Sequence, residues 1–237
     1  MKLAFASTLA ISVLALSACS VPTAPKAVSS LDTLFTQPVG RSSATQVKSG
    51  PGVSLGVIYS PSTQTNRDYL RNYQANAGTG FGQSLLVQPI HDAYVATSKP
   101  DMAVDWVKAS LQRQFGSVTV YPDMQSLKAA KPDVVAIVDT RSQLMTSRSS
   151  DISANISAAF YDANFNYIGT AQGHDAKELS PLWADYKRSE EIVADINEQQ
   201  NVQVRALQKF DQSLSNLLTR PTDKVSMIDN TTGQKLY

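Results

Sequence analysis

Residues 133–139 read DVVAIVD, and residues 152–171 read ISANISAAFYDANFNYIGTA. The first stretch is a continuous apolar run between two aspartates, which is typical of a central strand covered on both faces. In the second stretch, apolar side chains alternate with polar or small ones up to Phe160, and YDANFN then turns the chain back into YIGTA. This alternation predicts an antiparallel hairpin with one face exposed to solvent.

The segments on either side predict further strands and helices. VSLGVIY at 53–59 is short, β-branched and bounded by prolines, as expected of a strand. Apolar residues recur at helical spacing over 101–115 and 183–220, which predicts two longer amphipathic helices. Shorter elements are predicted as a helix over 65–77, a strand at 118–121 and a helix over 124–130, whereas 84–97 fits either a strand or a helix. We therefore expect an α/β (α+β) fold, in which a mixed β-sheet with a C-terminal antiparallel hairpin is packed by the two longer helices.

The start of the chain has the layout of an export signal that ends at a cysteine. Lys2 is the only charged residue before Lys26, and residues 3–16 form an apolar run, which is shorter than the roughly 20 residues that a transmembrane helix needs. The following Leu16-Ser17-Ala18-Cys19 resembles the lipobox of bacterial lipoproteins. This resemblance implies that residues 1–18 are removed as a signal peptide and that the Cys19 thiol carries diacylglycerol at the mature N-terminus. A plain signal peptide followed by a chance cysteine is the alternative.

The residues after Cys19 predict where the protein is anchored and how it is divided. By resemblance to the sorting rule of enteric bacteria, Ser20 in place of aspartate implies the outer membrane, with the domain on the periplasmic side. Residues 19–52 hold four prolines among Ser, Thr, Ala and Gly, so they predict a flexible linker. We expect a single α/β domain over 53–220 and a polar C-terminal tail over 221–237. Cys19 is the only cysteine, so no disulfide is expected to stabilise the domain.

Charge and composition argue against several classes of function. The chain has 21 Lys and Arg against 20 Asp and Glu, so it lacks the basic excess that a nucleic-acid partner requires. Its two histidines, His91 and His174, are too few for a usual metal site, and no GxSxG motif marks a nucleophilic serine. A catalytic base at His174 is the open alternative to an exposed residue just after the last strand. We predict no catalytic residue, no cofactor and no metal ligand, and therefore a protein that is not an enzyme.

Other conspicuous residues have structural explanations. The glycines of Gly78-Thr79-Gly80-Phe81-Gly82 lack the spacing of a phosphate-binding loop, which favours a loop or hinge. Asp133 and Asp139 bracket the central strand at opposite ends, so they cannot form a carboxylate pair, and capping or solvent exposure explains them. Trp106 and Trp183 are expected to pack in or beside the core.

The hairpin segment Tyr161-Asp162-Ala163-Asn164-Phe165-Asn166-Tyr167-Ile168-Gly169, with the lipobox, the DVVAIVD strand and the closing helix, resembles a group of envelope proteins. The group includes the TolB N-terminal domain, the curli-secretion lipoprotein, the lipoprotein activators of penicillin-binding proteins and the Pel polysaccharide lipoprotein. The resemblance covers about residues 101–218. It implies a non-enzymatic accessory protein that assembles with secretion, polysaccharide-export or cell-wall machinery, or with itself.

A second class of function remains open from the sequence. The chain could be an auxiliary lipoprotein of an envelope transport system that binds a small ligand or a lipid. This hypothesis predicts an apolar cleft between the face of Tyr69 and Tyr73 and the loop of Gly78, Gly80 and Gly82. The same residues form the candidate interaction loop if the ligand is instead a protein.

Overall fold

The computed structural model describes residues 46–76, 88–145, 150–179 and 187–219. In this part of the chain the strands are β1 (Gly50–Tyr59), β2 (Phe115–Val120), β3 (Val134–Gln143), β4 (Asp151–Asp162) and β5 (Tyr167–Glu178). The helices are α1 (Pro61–Asn76), α2 (Gln88–Thr97), α3 (Met102–Gln112), α4 (Met124–Ala130) and α5 (Ser189–Thr219). The expected α/β fold with a mixed sheet is confirmed.

β3 is the central strand of a five-stranded sheet with the order β2-β1-β3-β4-β5. β1 pairs in parallel with both β2 and β3, whereas β3, β4 and β5 pair in antiparallel fashion. Residues Val134 to Val138 are at most 3% exposed, because this half of β3 is covered on both faces. The DVVAIVD stretch therefore forms the buried central strand that its composition predicts.

The β4–β5 hairpin turns around the carboxylate of Asp162. This carboxylate accepts hydrogen bonds from the backbone N–H groups of Asn164 at 2.9 Å and Asn166 at 2.8 Å, and from the Asn166 side-chain amide at 2.9 Å. Phe165 takes a φ of 64° to complete the turn. Aspartate and asparagine favour such turns because their short side chains bind nearby backbone groups. The predicted hairpin is confirmed, and both of its strands are longer than expected.

The larger core lies on one face of the sheet, beneath α2, α3 and α5. α5 has 31 residues, which makes it about 46 Å long, and it packs along β5 and β4. Phe160 of β4 and Phe210 of α5 are among the fully buried side chains of this core. Burial of one such side chain contributes roughly 2 to 3 kcal/mol, so the long amphipathic helix is a main source of stability.

A smaller core lies on the opposite face, where Leu127 of α4 packs with Val135, Ile137 and Tyr161. α4 is capped by Asp123, whose carboxylate accepts a hydrogen bond from the Ser126 N–H at 2.7 Å. With seven residues, α4 covers only one end of this face. The outer side of the hairpin is consequently half-buried or exposed along much of its length.

The domain begins earlier than the sequence predicts. β1 starts at Gly50, and Val47 is 1% exposed, so the last residues of the predicted linker belong to the fold. The close approach of β1 and β2 explains this extension. A Cβ at Gly116 would lie 1.7 Å from the carbonyl oxygen of Pro51, so only glycine fits at this position. Gly116 therefore belongs to β2 and does not end the preceding helix.

The helix bounds also differ from the prediction. α1 begins at Pro61 rather than at residue 65, because the Ser60 hydroxyl caps it by accepting a hydrogen bond from the Thr63 N–H at 3.1 Å. α3 ends at Gln112, and the ambiguous segment 84–97 is helical over Gln88–Thr97.

Several predictions concern residues outside the described ones. These are the signal peptide 1–18, Cys19 and the linker up to residue 45, Gly78, Gly80, Gly82, Trp183 and the tail 221–237. They remain predictions. No helix in the described ranges is long and apolar enough to cross a membrane.

Candidate interaction surfaces

Tyr69 and Tyr73 lie in the interior of the domain. Their side chains are 4% and 5% exposed and pack with Leu70 and Leu144. The Tyr69 hydroxyl accepts a hydrogen bond from the Leu144 N–H at 3.1 Å, and the Tyr73 hydroxyl donates to the Met145 carbonyl at 2.8 Å. The two tyrosines are therefore packing groups rather than an exposed face beside the glycine loop.

Tyr69 and Tyr73 lie on the same side of α1 as Thr63 and Asn66. We call these four side chains the α1 stripe, and this side of the helix covers one edge of β3. β1 stops before β3 does, so the second half of β3 has no strand on that side. The Thr140 N–H donates to Thr63 Oγ1 at 2.9 Å, and the Ser142 N–H donates to Asn66 Oδ1 at 2.8 Å. Tyr69 accepts from the Leu144 N–H just past the end of β3, so the three side chains bind alternate N–H groups along this edge, as a neighbouring strand would.

A buried group of polar side chains around Gln199 connects α1, α2 and α5. Gln199 of α5 accepts a hydrogen bond from the Met145 N–H at 2.6 Å and donates to Thr97 Oγ1 at 3.1 Å. The rings of Tyr73 and Tyr94 lie beside it, with their centroids 5.8 Å apart. Burial raises the pKa of the Tyr73 phenol well above its usual value and that of Tyr94 to about 12. Both phenols therefore stay neutral at physiological pH.

Asp139 is a buried carboxylate with a structural role. Ser60 donates a hydrogen bond to Oδ1 at 2.5 Å, and Arg141 Nε lies 2.8 Å from Oδ2. Since Ser60 also caps α1, this network ties the start of the helix to β3. Asp133 is instead exposed, and its carboxylate accepts hydrogen bonds from the N–H and hydroxyl of Ser54 at 2.8 and 2.6 Å. The two aspartates serve separate structural contacts.

α5 covers the outer edge of β5 with polar side chains. The Gln172 N–H donates to Ser213 Oγ at 3.0 Å, and Lys209 Nζ donates to the His174 carbonyl at 3.0 Å. Ion pairs across the same contact join Asp175 to Arg205 and Lys209. This edge is therefore partly occupied by the protein's own helix.

The two histidines lie on separate elements. His91 is on α2, with Nδ1 3.2 Å from the carboxylate of the adjacent Asp92. His174 lies within β5, opposite Asn155, and not after the last strand as the sequence predicts, because β5 continues to Glu178. Across the described ranges, no group of three or more His, Cys, Asp or Glu side chains could hold a metal ion.

The outer side of the hairpin is an open polar surface, which we call the hairpin face. It is formed by Ser153, Asn155, Ser157, Gln172, His174 and Ala176, which are paired across β4 and β5. The two serines are half-buried, and the other four residues of the face are exposed. Small uncharged side chains that form hydrogen bonds can be desolvated by a protein partner at lower cost than charged ones. The hairpin face is therefore a candidate interaction surface.

β2 provides the second candidate surface. Within the described residues, its hydrogen bonds all go to β1, which leaves its outer edge unpaired. The strand reads FGSVTV, without a charged residue or a proline. Val120 at its end is 41% exposed.

The sequence predicts a solvated side of the hairpin, but half of the residues that form it, Gln172, His174 and Ala176, lie beyond the predicted strands. The predicted return strand ends at Ala171, because the following QGHDAKE is polar and reads as a loop. Pairing counted outward from Tyr161 and Tyr167 indicates that the return strand continues past Ala171, but the irregularity between Phe160 and Tyr161 shifts the register by one residue, so counting alone does not give the observed pairing of residues 172–178 with 151–157.

No protein-family model and no curated protein matches the chain. Among solved structures, the chain is similar to a dodecamer of a PelC point variant from Paraburkholderia phytofirmans, with a TM-score of 0.31 and 12% sequence identity. The alignment covers 67% of this chain and 95% of the PelC chain. A likeness at this level carries no information about function.

Proposed function

We propose that the chain is a non-enzymatic accessory protein of the bacterial cell envelope, anchored by a lipid on Cys19 to the periplasmic side of the outer membrane. In this proposal it binds another envelope protein through the hairpin face. The observation that carries the proposal is this face itself, whose side chains are polar except for Ala176 and are exposed or half-buried on two twelve-residue strands.

The packing beneath the hairpin face favours binding. Residues of the face alternate along β4 with Ala154, Ile156 and Ala158, which are at most 3% exposed. Both strands are hydrogen-bonded over their length, and β4 is also paired with β3. A surface on such strands loses little conformational freedom when a partner binds, so more of the contact energy appears as affinity.

The tether supports the same proposal. Residues 19–45 separate the predicted lipid from the first described residue, Gln46. The linker that the composition of residues 19–45 predicts would have an r.m.s. reach of about 30 Å. The hairpin face can therefore meet a partner that stands away from the membrane surface.

Site-specific photocrosslinking tests the binding surface. A photoreactive residue placed at exposed His174 should give a defined covalent adduct with another envelope protein in intact cells. The same group at Lys108, which is exposed on α3, is the matched control and should give little or no adduct. Equal adducts at both positions, or none at position 174, would refute the hairpin face as the binding site.

The anchor is tested separately. Cys19→Ser should move the chain from the membrane fraction to the soluble periplasmic fraction and abolish labelling by a radioactive fatty acid, with the circular dichroism of the domain unchanged. A Ser20→Ala variant is the control and should stay in the membrane fraction. Retention of the Cys19→Ser chain on the membrane after signal cleavage would refute lipid anchoring without bearing on the hairpin face.

A further inference from the structure

Three polar residues form a row across the outer side of the sheet. Arg141 of β3 lies opposite Asn155 of β4, and Asn155 lies opposite His174 of β5. Side chains that are directly opposite on paired strands point to the same side and have Cβ atoms about 5 Å apart. The hairpin face therefore continues onto β3, and we call Arg141, Asn155 and His174 the Arg141 row.

Arg141 is held in place by a buried carboxylate. Its Nε is buried and lies 2.8 Å from Oδ2 of Asp139, which is 6% exposed and also accepts a hydrogen bond from Ser60. The Arg141 side chain as a whole is 29% exposed, and no protein group within the described ranges bonds its two Nη atoms. A guanidinium can bind carboxylates along its Nε side and at its Nη end. In Arg141 the Nε side is occupied by Asp139, and the Nη end is open.

We propose that the Arg141 row binds a carboxylate, supplied by an aspartate or glutamate side chain of the protein that docks on the hairpin face. The inference rests on the proposed function, because it specifies what the hairpin face recognises on its partner.

The row consists mainly of hydrogen-bond donors. Asn155 and His174 are both exposed, and neither side chain bonds another group in the described part of the chain. The amide NH₂ and the imidazole N–H donate, and a guanidinium has donors only. An ionised carboxylate fits such a row because its oxygens only accept. Two parallel N–H···O bonds from the Nη end of Arg141 would fix its orientation.

Other charged residues of the hairpin leave the row free. Asp175 and Lys177 point to the opposite side of the sheet, where they form ion pairs with Arg205 and Glu198 of α5. Glu178 lies at the far end of the hairpin face, about 13 Å along β5 from the row. This distance exceeds the Debye length of about 8 Å at physiological ionic strength. A carboxylate that approaches Arg141 is therefore not repelled from the hairpin.

Arg141 is also prepared for binding before a partner arrives. The ion pair with Asp139 restricts the guanidinium, and Asp139 is itself bonded to Ser60. Less side-chain freedom is then lost when the complex forms. Arginine is common at the centre of protein interfaces for this combination of charge, planarity and several donors.

Photocrosslinking in intact cells tests the row. A photoreactive residue at Ala176, which is exposed on the hairpin face beside the row, should form an adduct with the partner protein. Arg141→Lys keeps a positive charge beside Asp139 but lacks the Nη pair, and it should lower the adduct yield about tenfold. The double variant Asp139→Asn with Arg141→Gln leaves no unpaired buried charge and should lower the yield at least as much.

Lys108→Gln is the matched control, because it neutralises an exposed cation on α3 and should leave the yield unchanged. The circular dichroism of all three variants should match that of the natural chain. Undiminished yield in both Arg141 variants would overturn the carboxylate site and leave the hairpin face as the binding surface. No adduct from Ala176 in the natural background would refute both proposals. An adduct with the mass of a phospholipid would also overturn the protein carboxylate.

The crosslinked peptide identifies the partner's side of the contact. It should contain or adjoin an aspartate or glutamate whose change to the corresponding amide lowers the adduct yield about as much as Arg141→Lys does. Because the two groups bind each other, combining the two changes should cause little further loss. Independent, additive losses would contradict a direct contact with Arg141.

Discussion

Gly173 of β5 and Ala206 of α5 are in direct backbone contact across the main core. A Cβ at Gly173 would lie 2.0 Å from the Ala206 carbonyl oxygen and 2.5 Å from the Phe210 nitrogen. Neither neighbour is a side chain that can rotate away. The absence of a side chain at position 173 therefore sets the distance between the sheet and its longest helix.

Gly173→Ala should destabilise the domain strongly, since the new methyl group can be accommodated only if α5 moves away from the sheet. We expect a loss of about 3 kcal/mol in the free energy of unfolding, measured in urea. Gly169→Ala should cost about 1 kcal/mol, because its close neighbour, 2.7 Å away, is the end of the Leu217 side chain.

Gly52→Ala is the control for this series, since nothing lies within 4 Å of a Cβ at that position. It should leave the unfolding free energy unchanged within about 0.5 kcal/mol. Equal effects of all three substitutions would show that loss of glycine flexibility, rather than the contact with α5, determines the result.

Tyr69→Phe should cost about 2 kcal/mol, because it leaves the buried Leu144 N–H without an acceptor. Tyr94→Phe is the matched control. The Tyr94 hydroxyl makes no hydrogen bond in the described structure, so its removal should change the unfolding free energy by less than about 0.5 kcal/mol. If both variants unfold at the same urea concentration, the edge-covering role of the α1 stripe is wrong.

Alkaline pH should weaken the fold through the buried phenols. Burial raises the pKa of Tyr94 from its ordinary value of 10 to about 12, and that of Tyr73 is also raised. The unfolded chain releases these protons at lower pH than the folded chain, so the stabilising effect is complete below pH 10 and declines as pH rises toward 12.

Urea unfolding at a series of pH values measures this decline. Tyr94→Phe should lose less stability than the natural chain between pH 10 and pH 12. An identical decline in the variant would show that Tyr94 ionises freely in the folded state.

Asp211 should be important for the contact between α3 and α5. Its carboxylate accepts hydrogen bonds from Trp106 Nε1 at 3.0 Å and from the Ser110 hydroxyl at 2.5 Å. Asp211→Ala should cost about 2 kcal/mol and shift the Trp106 fluorescence to longer wavelength. Asp68→Ala removes an exposed pair with Arg71 and should change stability by less than about 0.5 kcal/mol. Similar losses in both variants would contradict a specific role for Asp211.

The sequence correctly predicts the strands whose order of apolar and polar residues follows from how many of their faces are buried. Residues 134–138 of β3 are apolar because both sides are buried, and Ile156, Ala158 and Phe160 follow the period of a strand with one buried side. Such patterns are visible without knowledge of the partners. Met124–Ala130 is predicted with its observed bounds; in the structure Asp123 caps its N-terminus and Lys131, at a φ of 50°, ends it.

The remaining features depend on contacts between distant residues. Thr63, Asn66 and Tyr69 read as an ordinary polar helix side, because the β3 edge that they cover is about 75 residues away in sequence. Gly50-Pro51-Gly52 reads as a loop, and only the close approach of Gly116 makes it part of a strand. The spacing of Tyr69 and Tyr73 correctly predicts a helix, but spacing alone does not decide whether that side faces solvent or the core.

Because β1 lies between β2 and β3, it is synthesised before both of the strands that it pairs with. β1 is the first strand of the described residues, yet it lies between two strands that end at Val120 and Gln143. The β4–β5 hairpin is local, so it closes with a smaller loss of chain entropy and can form first. If the chain crosses a membrane from its N-terminus, β1 emerges first and has no strand to pair with until β2, which ends at Val120, has also crossed. By then more than half of the polypeptide has been transported.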